Sequence, residues 1–189
     1  DSVIVCTFGD ASSNHSTAQG AINAACWSSF QNVPVPVLFV CEDNGIGISV
    51  TTPSGWVAAN HQSRPGMRYF GGSGLDLPEA YDAAQAAVAY VREHRRPAFL
   101  HLKVVRLLGH AGSDVEQSYR SEEEIEASEA LDPLRRAATL LIEGGWASPE
   151  LLTQLYEDTR ARCAALAQEA ADRPKLTTAE EVVAPLAPR

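Results

Sequence analysis

VIVCTFGDASSNHSTAQGAINAACWSSFQNVPVPVLFVCEDNGIGISV, residues 3–50, decides the fold. Two of its runs, Val3–Phe8 and Val35–Cys41, are short, apolar and β-branched. They are too short for helices and read as fully buried parallel strands. Between them Thr17–Phe30 is rich in Ala and small polar residues and reads as a crossover helix. The unit is strand–helix–strand, which implies an α/β fold with a doubly wound parallel sheet. Each strand ends in a polar cluster: Gly9-Asp10-Ala11 after the first, Glu42-Asp43-Asn44-Gly45 after the second. In open α/β sheets the ligand crevice lies beyond the carboxyl ends of the strands, so both clusters point to one place.

That place has an oxygen-rich chemistry. Asp10 offers a carboxylate, Asn44 an amide oxygen, and the irregular backbone after Gly45 offers carbonyls such as that of Ile46. A hard cation such as Mg²⁺ takes oxygen ligands and leaves positions open for phosphate oxygens. The helix that follows Asp10 presents N–H groups that favour an anion. A diphosphate site is the expectation.

Beyond Asn44 the chain reads as loop through Gly74, with a short helix at Trp56–His61 and a short strand at Met67–Phe70. Asp76–Arg96 reads as a helix: Asp76 caps it, Tyr81, Ala84, Val88 and Val91 form an apolar stripe, and Pro97 stops it. Ala98–Val105 is the third strand. In it His101 and Lys103 alternate with apolar residues, as at a sheet edge, and His101 reads as structural. Directly after this strand come Arg106 and, in a Gly-flanked loop, His110. A guanidinium suits a phosphate oxygen, and an imidazole moves protons near neutrality. Taken alone, His110 reads more readily as part of an ordinary polar surface loop.

Gly9-Asp10, Asn14 and the closing Glu42-Asp43-Asn44 resemble the thiamine diphosphate motif, which begins Gly-Asp-Gly and ends Asn-Asn. Gly109-His110 followed by Ser113-Asp114 and Ser118-Tyr119-Arg120 resembles the active-site loop of a second, narrower group. These are the alpha subunits of thiamine-dependent 2-oxo acid dehydrogenases of pyruvate and branched-chain type. The resemblance covers residues 1–134 and implies the thiamine diphosphate-binding fold in part. It implies that Asp10, Asn44 and the Ile46 carbonyl bind Mg²⁺. Gly9, Ala11, Asn14, Arg106 and His110 would join them around the cofactor, with Arg106 on its diphosphate. His110 would be the catalytic residue and assist acyl transfer to a lipoyl group, while Ser113, Asp114, Tyr119 and Arg120 shape the loop. The implied partners are a beta-type subunit or segment carrying the pyrimidine-binding domain and the lipoyl domain of an acyltransferase, in an oligomer. The glutamate that activates the aminopyrimidine belongs to that other domain.

The sequence departs from the pattern. Ala11 stands where the motif has its second Gly, which makes a positive φ there less comfortable. Asp43 replaces the first Asn of the closing pair, and the segment between the halves is a few residues longer. Ala111 stands where mitochondrial relatives carry a phosphorylated serine, so that control is expected to be absent.

The chain has 189 residues, 45% hydrophobic, and a formal net charge of −9. The charge argues against nucleic-acid or anionic-membrane binding. No run is long enough to span a membrane and no leader peptide is visible, so a cytoplasmic protein is expected. The start is abrupt, with Asp1-Ser2 leading into a core strand, and an upstream part is expected to be missing. The four cysteines form no CxxC pair and read as reduced thiols, Cys6 and Cys41 inside buried strands. Residues 1–130 read as the α/β domain and 131–189 as C-terminal helices and a tail. That region holds an acidic helix start at Ser121–Ala130, then Pro133–Glu143, then a long helix from Pro149 to about Ala171. An apolar stripe through Leu152, Leu155, Tyr156 and Leu166 would pack against the body or a partner. From Pro174 a partly ordered tail is expected. Two other functions fit parts of the pattern: a non-catalytic domain of the same ancestry acting in assembly, and a Mg²⁺-dependent phosphate hydrolase built on Asp10.

Overall fold

The computed structural model describes residues 2–186. Four parallel strands form one sheet: β1 (Ile4–Gly9), β2 (Val37–Asp43), β5 (Arg68–Ser73) and β6 (Ala98–Lys103), in the order β1-β2-β6-β5. A two-stranded hairpin, β3 (Ile46–Gly47) and β4 (Val50–Thr51), follows β2 and was not foreseen. Helix α1 (Ser16–Phe30) is the crossover between β1 and β2, and α2 (Trp56–His61) and α3 (Leu77–His94) follow. Residues 2–139 and 140–186 fall in separate compact units.

The period-2 alternation of a strand sorts its side chains onto two faces. On one face Phe39, Cys41 and Phe99 pack against Ile22 and Cys26 of α1 and Val57 of α2. On the other, Leu38, Ala98 and Leu100 pack against Ala87 and Val91 of α3. Helices on both faces of a parallel sheet are the doubly wound α/β arrangement expected from the sequence. Phe99 is fully buried and touches both Phe8 and Tyr69 at ring-centroid distances of 5.9 and 6.1 Å. Truncating such a side chain to Ala costs roughly 3–5 kcal/mol.

Four local expectations are corrected. β1 is not buried: among the described residues it pairs only with β2, and Ile4 and Val5 are 63% and 56% exposed. Cys6 is exposed with them. β6 is not an edge but lies between β2 and β5, with Ala98, Phe99, Leu100 and His101 all buried. Its polar residues misled because they are satisfied by side chains on neighbouring strands. β5 runs on through Gly71-Gly72-Ser73, since its ladder to β6 is made by backbone and tolerates glycine. The buried stripe of α3 is Ala83, Ala84, Ala87, Val88 and Val91, while Tyr81 is 60% exposed.

The remaining helices are α4 (Glu122–Glu129), α5 (Pro133–Glu143), α6 (Pro149–Asp172) and α7 (Ala179–Val183). α4 opens on a capping box, Ser121 with Glu124, which satisfies two otherwise free N–H groups. α6 buries none of its residues, and its stripe is exposed: Leu155 and Tyr156 are each 61% accessible. The expected tail contains α7, opened by a second capping box, Thr178 with Glu181. Residues 187–189 lie outside the described part. No described helix is long and apolar enough to cross a membrane.

Candidate active site

β1 delivers Asp10 to the carboxyl end of the sheet. There the chain turns through a short 3₁₀ turn, Ser12–Asn14, before α1 begins. The turn is closed on the Asp10 carbonyl, which accepts from the Ser13 hydroxyl at 2.6 Å and the Ser13 N–H at 3.2 Å. The Asp10 side chain is 1% exposed and its Oδ2 is buried with no hydrogen-bond partner. A buried carboxylate oxygen without a donor is costly, and a cation is the group that removes the cost. Ala11 has φ −64° and ψ −39°, so this turn needs no positive φ and the alanine fits without strain.

The second cluster makes a tight turn after β2. Gly45 takes φ 78°, its N–H donates to Asp43 Oδ1 at 3.0 Å, and its carbonyl accepts from Thr52 N at 2.8 Å. Asn44 Oδ1 accepts from Ile46 N at 3.0 Å. An amide oxygen has two lone pairs, so one remains. This turn launches the β3–β4 hairpin over the end of β1.

The two turns wall one cleft of about 950 Å³. Gly9, Asp10, Ala11, Asn14, Asn44, Ile46 and His110 all line it, and Asp10 is the only carboxylate among its described lining residues. Asn14 Oδ1 accepts from Trp56 Nε1 at 2.5 Å. His15, which sequence reasoning missed, also lines the cleft and caps α1 by accepting from Thr17 N at 3.2 Å. Among the described residues no group of three or more His, Cys, Asp or Glu side chains converges on a metal position. One carboxylate, one amide oxygen and main-chain carbonyls suit Mg²⁺, which keeps waters and phosphate oxygens, and do not suit zinc. The donor set and the orphaned Asp10 oxygen therefore fit a Mg²⁺–diphosphate.

Arg106 stands beside this cleft rather than in it. It lines an adjoining pocket of about 220 Å³ that shares Asn44 and Ile46. Its guanidinium donates to the Ile48 carbonyl at 2.6 Å and to the Tyr119 hydroxyl at 2.6 Å, and faces Glu116 at 3.4 Å. Its Nε is buried and unpartnered. Tyr119 in turn donates to Asp114 Oδ2 at 2.7 Å, and the same oxygen accepts from the His110 N–H at 2.6 Å. The His110 backbone bond and the Tyr119 hydroxyl hold the Asp114 carboxyl below its usual range. The loop is thus strapped from Arg106 through Tyr119 and Asp114 to the backbone of His110, whose ring is exposed at the cleft. Ser113 is exposed. Arg120 pairs with buried Glu116, another residue that sequence reasoning missed, although its i,i+4 spacing from Arg120 is a legible signal.

Beneath the closing turn Asp43 is 4% exposed and pairs with His101 at 2.7 Å and with Lys103. Burial alone would raise its carboxyl, but the Lys103 and His101 hydrogen bonds together outweigh it and hold the group below its usual value. Cys41 is pushed up to about 12 by burial and by the carboxylates of Asp43 and Asp10, which makes it an inert thiol. All four cysteines are free.

The family model for the dehydrogenase E1 component matches residues 1–179. The pyruvate dehydrogenase E1 component subunit alpha of Rickettsia bellii is 30% identical over 157 residues, covering 81% of this chain and 46% of that protein. The somatic mitochondrial forms of the same subunit from Bos taurus and Homo sapiens are each 29% identical over 181 residues. There the alignment covers 93% of this chain and 44% of the relative. The chain thus spans less than half the length of these relatives. With an oxygen-lined cleft at the carboxyl end of a parallel sheet and a family match over nearly its whole length, the chain belongs to the dehydrogenase E1 component family.

Proposed function

We propose that this chain is the diphosphate- and Mg²⁺-binding half of a thiamine diphosphate-dependent 2-oxo acid dehydrogenase, acting on a 2-oxo acid and passing the acyl group to a lipoyl domain. The observation that carries the reading is the Asp10 carboxylate, buried and without a donor, at the wall of a cleft that also holds Asn44, Ile46 and His110. Asp10, the Asn44 amide oxygen and the Ile46 carbonyl would hold Mg²⁺, and the metal would fix the diphosphate. Thiamine diphosphate, when bound, supplies the electron sink that lets a 2-oxo acid lose carbon dioxide. Arg106 contributes positive charge beside the cleft while Ile48 and Tyr119 hold it in place. His110, at the cleft on a strapped loop, is in position to hold or move a proton at its ring nitrogens during acyl transfer.

A beta-type subunit or segment with a pyrimidine-binding domain would complete the site, and a lipoyl domain would collect the acyl group. Exposed apolar side chains favour assembly: Trp27 and Phe30 of α1 are 68% and 71% accessible, alongside Ile4 and Val5 of β1. A phosphate hydrolase is disfavoured, because the cleft presents one carboxylate among its described residues and offers no second metal position. The test is lipoyl acylation by the assembled enzyme from a panel of 2-oxo acids. His110→Ala is expected to keep cofactor affinity while losing at least tenfold in acylation rate. An unaltered rate would remove His110 from the mechanism, and no turnover of any 2-oxo acid by the wild-type assembly would overturn the proposal.

A further inference from the structure

The turn that carries Asn44 and Ile46 is anchored to three side chains outside the cleft. Asp43, His101 and Tyr69 lie on the same face of β2, β6 and β5 by strand parity. In register, His101 faces Cys41 on one side and Gly71 on the other. Asp43 is therefore one same-face step ahead of it and Tyr69 one step behind, so the three run diagonally across the sheet.

His101 bridges them. Its Nε2 meets Asp43 Oδ2 at 2.7 Å and its Nδ1 meets the Tyr69 hydroxyl at 2.6 Å. With a proton on Nε2 the ring donates to the Asp43 carboxylate, while the Tyr69 hydroxyl holds the ring at Nδ1. Gly71 opposite His101 leaves room for the diagonal, since a Cβ there would stand a tight 3.3 Å from Tyr69 Cε1. The other Asp43 oxygen accepts from Gly45 N at 3.0 Å, at the residue whose φ of 78° sets the turn. The Asp43 carbonyl accepts from Val104 N at 2.9 Å. Every polar group of Asp43 beyond its own N–H is thus committed, and Asn44 and Ile46, one and three residues on, line the cleft.

We propose that Asp43 is a positioning residue, and that the Tyr69–His101–Asp43 chain fixes the Asn44–Gly45–Ile46 turn in the conformation that receives Mg²⁺. This rests on the reading of Asn44 and Ile46 as Mg²⁺ ligands. Asp43 does not line the cleft and acts through the turn. Partners that orient metal ligands typically change metal affinity 10- to 100-fold when removed.

The test titrates Mg²⁺ and thiamine diphosphate calorimetrically into the full-length protein in its native assembly, and follows amide hydrogen exchange by residue. His101→Leu removes both bridge contacts. It is expected to weaken Mg²⁺-dependent cofactor binding about tenfold and to speed exchange at Gly45 and Ile46 without a matching change across the sheet. His101→Gln, which restores a donor to Asp43, is expected to recover most of the loss. Tyr69→Phe deletes one hydroxyl, carries the test if His101→Leu fails to fold, and is expected to weaken binding about threefold by loosening the imidazole. Wild-type binding with unchanged affinity in these variants overturns the inference alone. Faster exchange spread evenly through the sheet also overturns it, by reducing the chain to general stability. A wild-type protein that binds neither Mg²⁺ nor cofactor overturns the ligand reading and this inference with it.

Discussion

The Cβ of Ala11 occupies the space that a side chain at Gly47 would need: a Cβ built on Gly47 falls 2.3 Å from it. The two belong to different turns, one after β1 and one after β2, and this contact sets how closely the cleft walls approach. Gly47→Ala is expected to push the walls apart and cost roughly 1–3 kcal/mol. The double variant with Ala11→Gly is expected to recover most of that loss. Urea denaturation of the single and double variants measures the coupling, and simple additivity would show that the walls do not meet here.

The strap through Tyr119 gives a second expectation. Tyr119→Phe leaves Arg106 and Asp114 each short of one partner, at a cost of roughly 0.5–1.5 kcal/mol per hydrogen bond. Because both contacts lie within one loop, the effect is expected there: faster hydrogen exchange and proteolysis across residues 106–120, with little change in the melting temperature of the sheet. Equal protection of that loop in the variant would show that the strap contributes nothing to its order.

His61 makes stability depend on pH. It is fully buried and stacked on Phe99 at 4.2 Å, and its pKa is lowered to about 4 by burial, then by the charges of Arg64 and His101. The unfolded chain takes up a proton near 6.5, the folded one only near 4, so the contribution is complete above pH 6.5 and is lost as pH falls toward 4. Between pH 7 and 5 the loss from this group is about 2 kcal/mol. His61→Phe keeps the stack and is expected to flatten this part of the pH profile. A variant profile parallel to that of the wild type would show that His61 does not titrate differently on folding.

Much of this was legible in the sequence, for physical reasons that also explain the rest. The β-branched runs and the Ala-rich segment between them fixed the strand–helix–strand unit, because burial and helix geometry impose different periods. Asp10, Asn44, Ile46 and His110 converge because strand ends do. Arg106 was harder to place: its position after β6 is readable, but which way a long side chain turns depends on Ile48 and Tyr119. The central place of β6 was hidden because His101 and Lys103 look like solvent-facing residues until Asp43 is brought within 2.7 Å of His101 by a strand far away in sequence. The glycines of β5 hid a strand for a similar reason, since their neighbours, Tyr69 beside Gly71 and Ala83 beside Gly72, are set by the fold.

The central claim is that Asp10 holds the cation that fixes a diphosphate. Native mass spectrometry of the protein in its native assembly, with thiamine diphosphate and Mg²⁺ supplied, tests it most directly. The wild type is expected to retain both together and to carry additional polypeptide. Asp10→Ala is expected to keep its assembly and lose both ligands. Cofactor and Mg²⁺ retained equally by Asp10→Ala, or by neither protein, would contradict it.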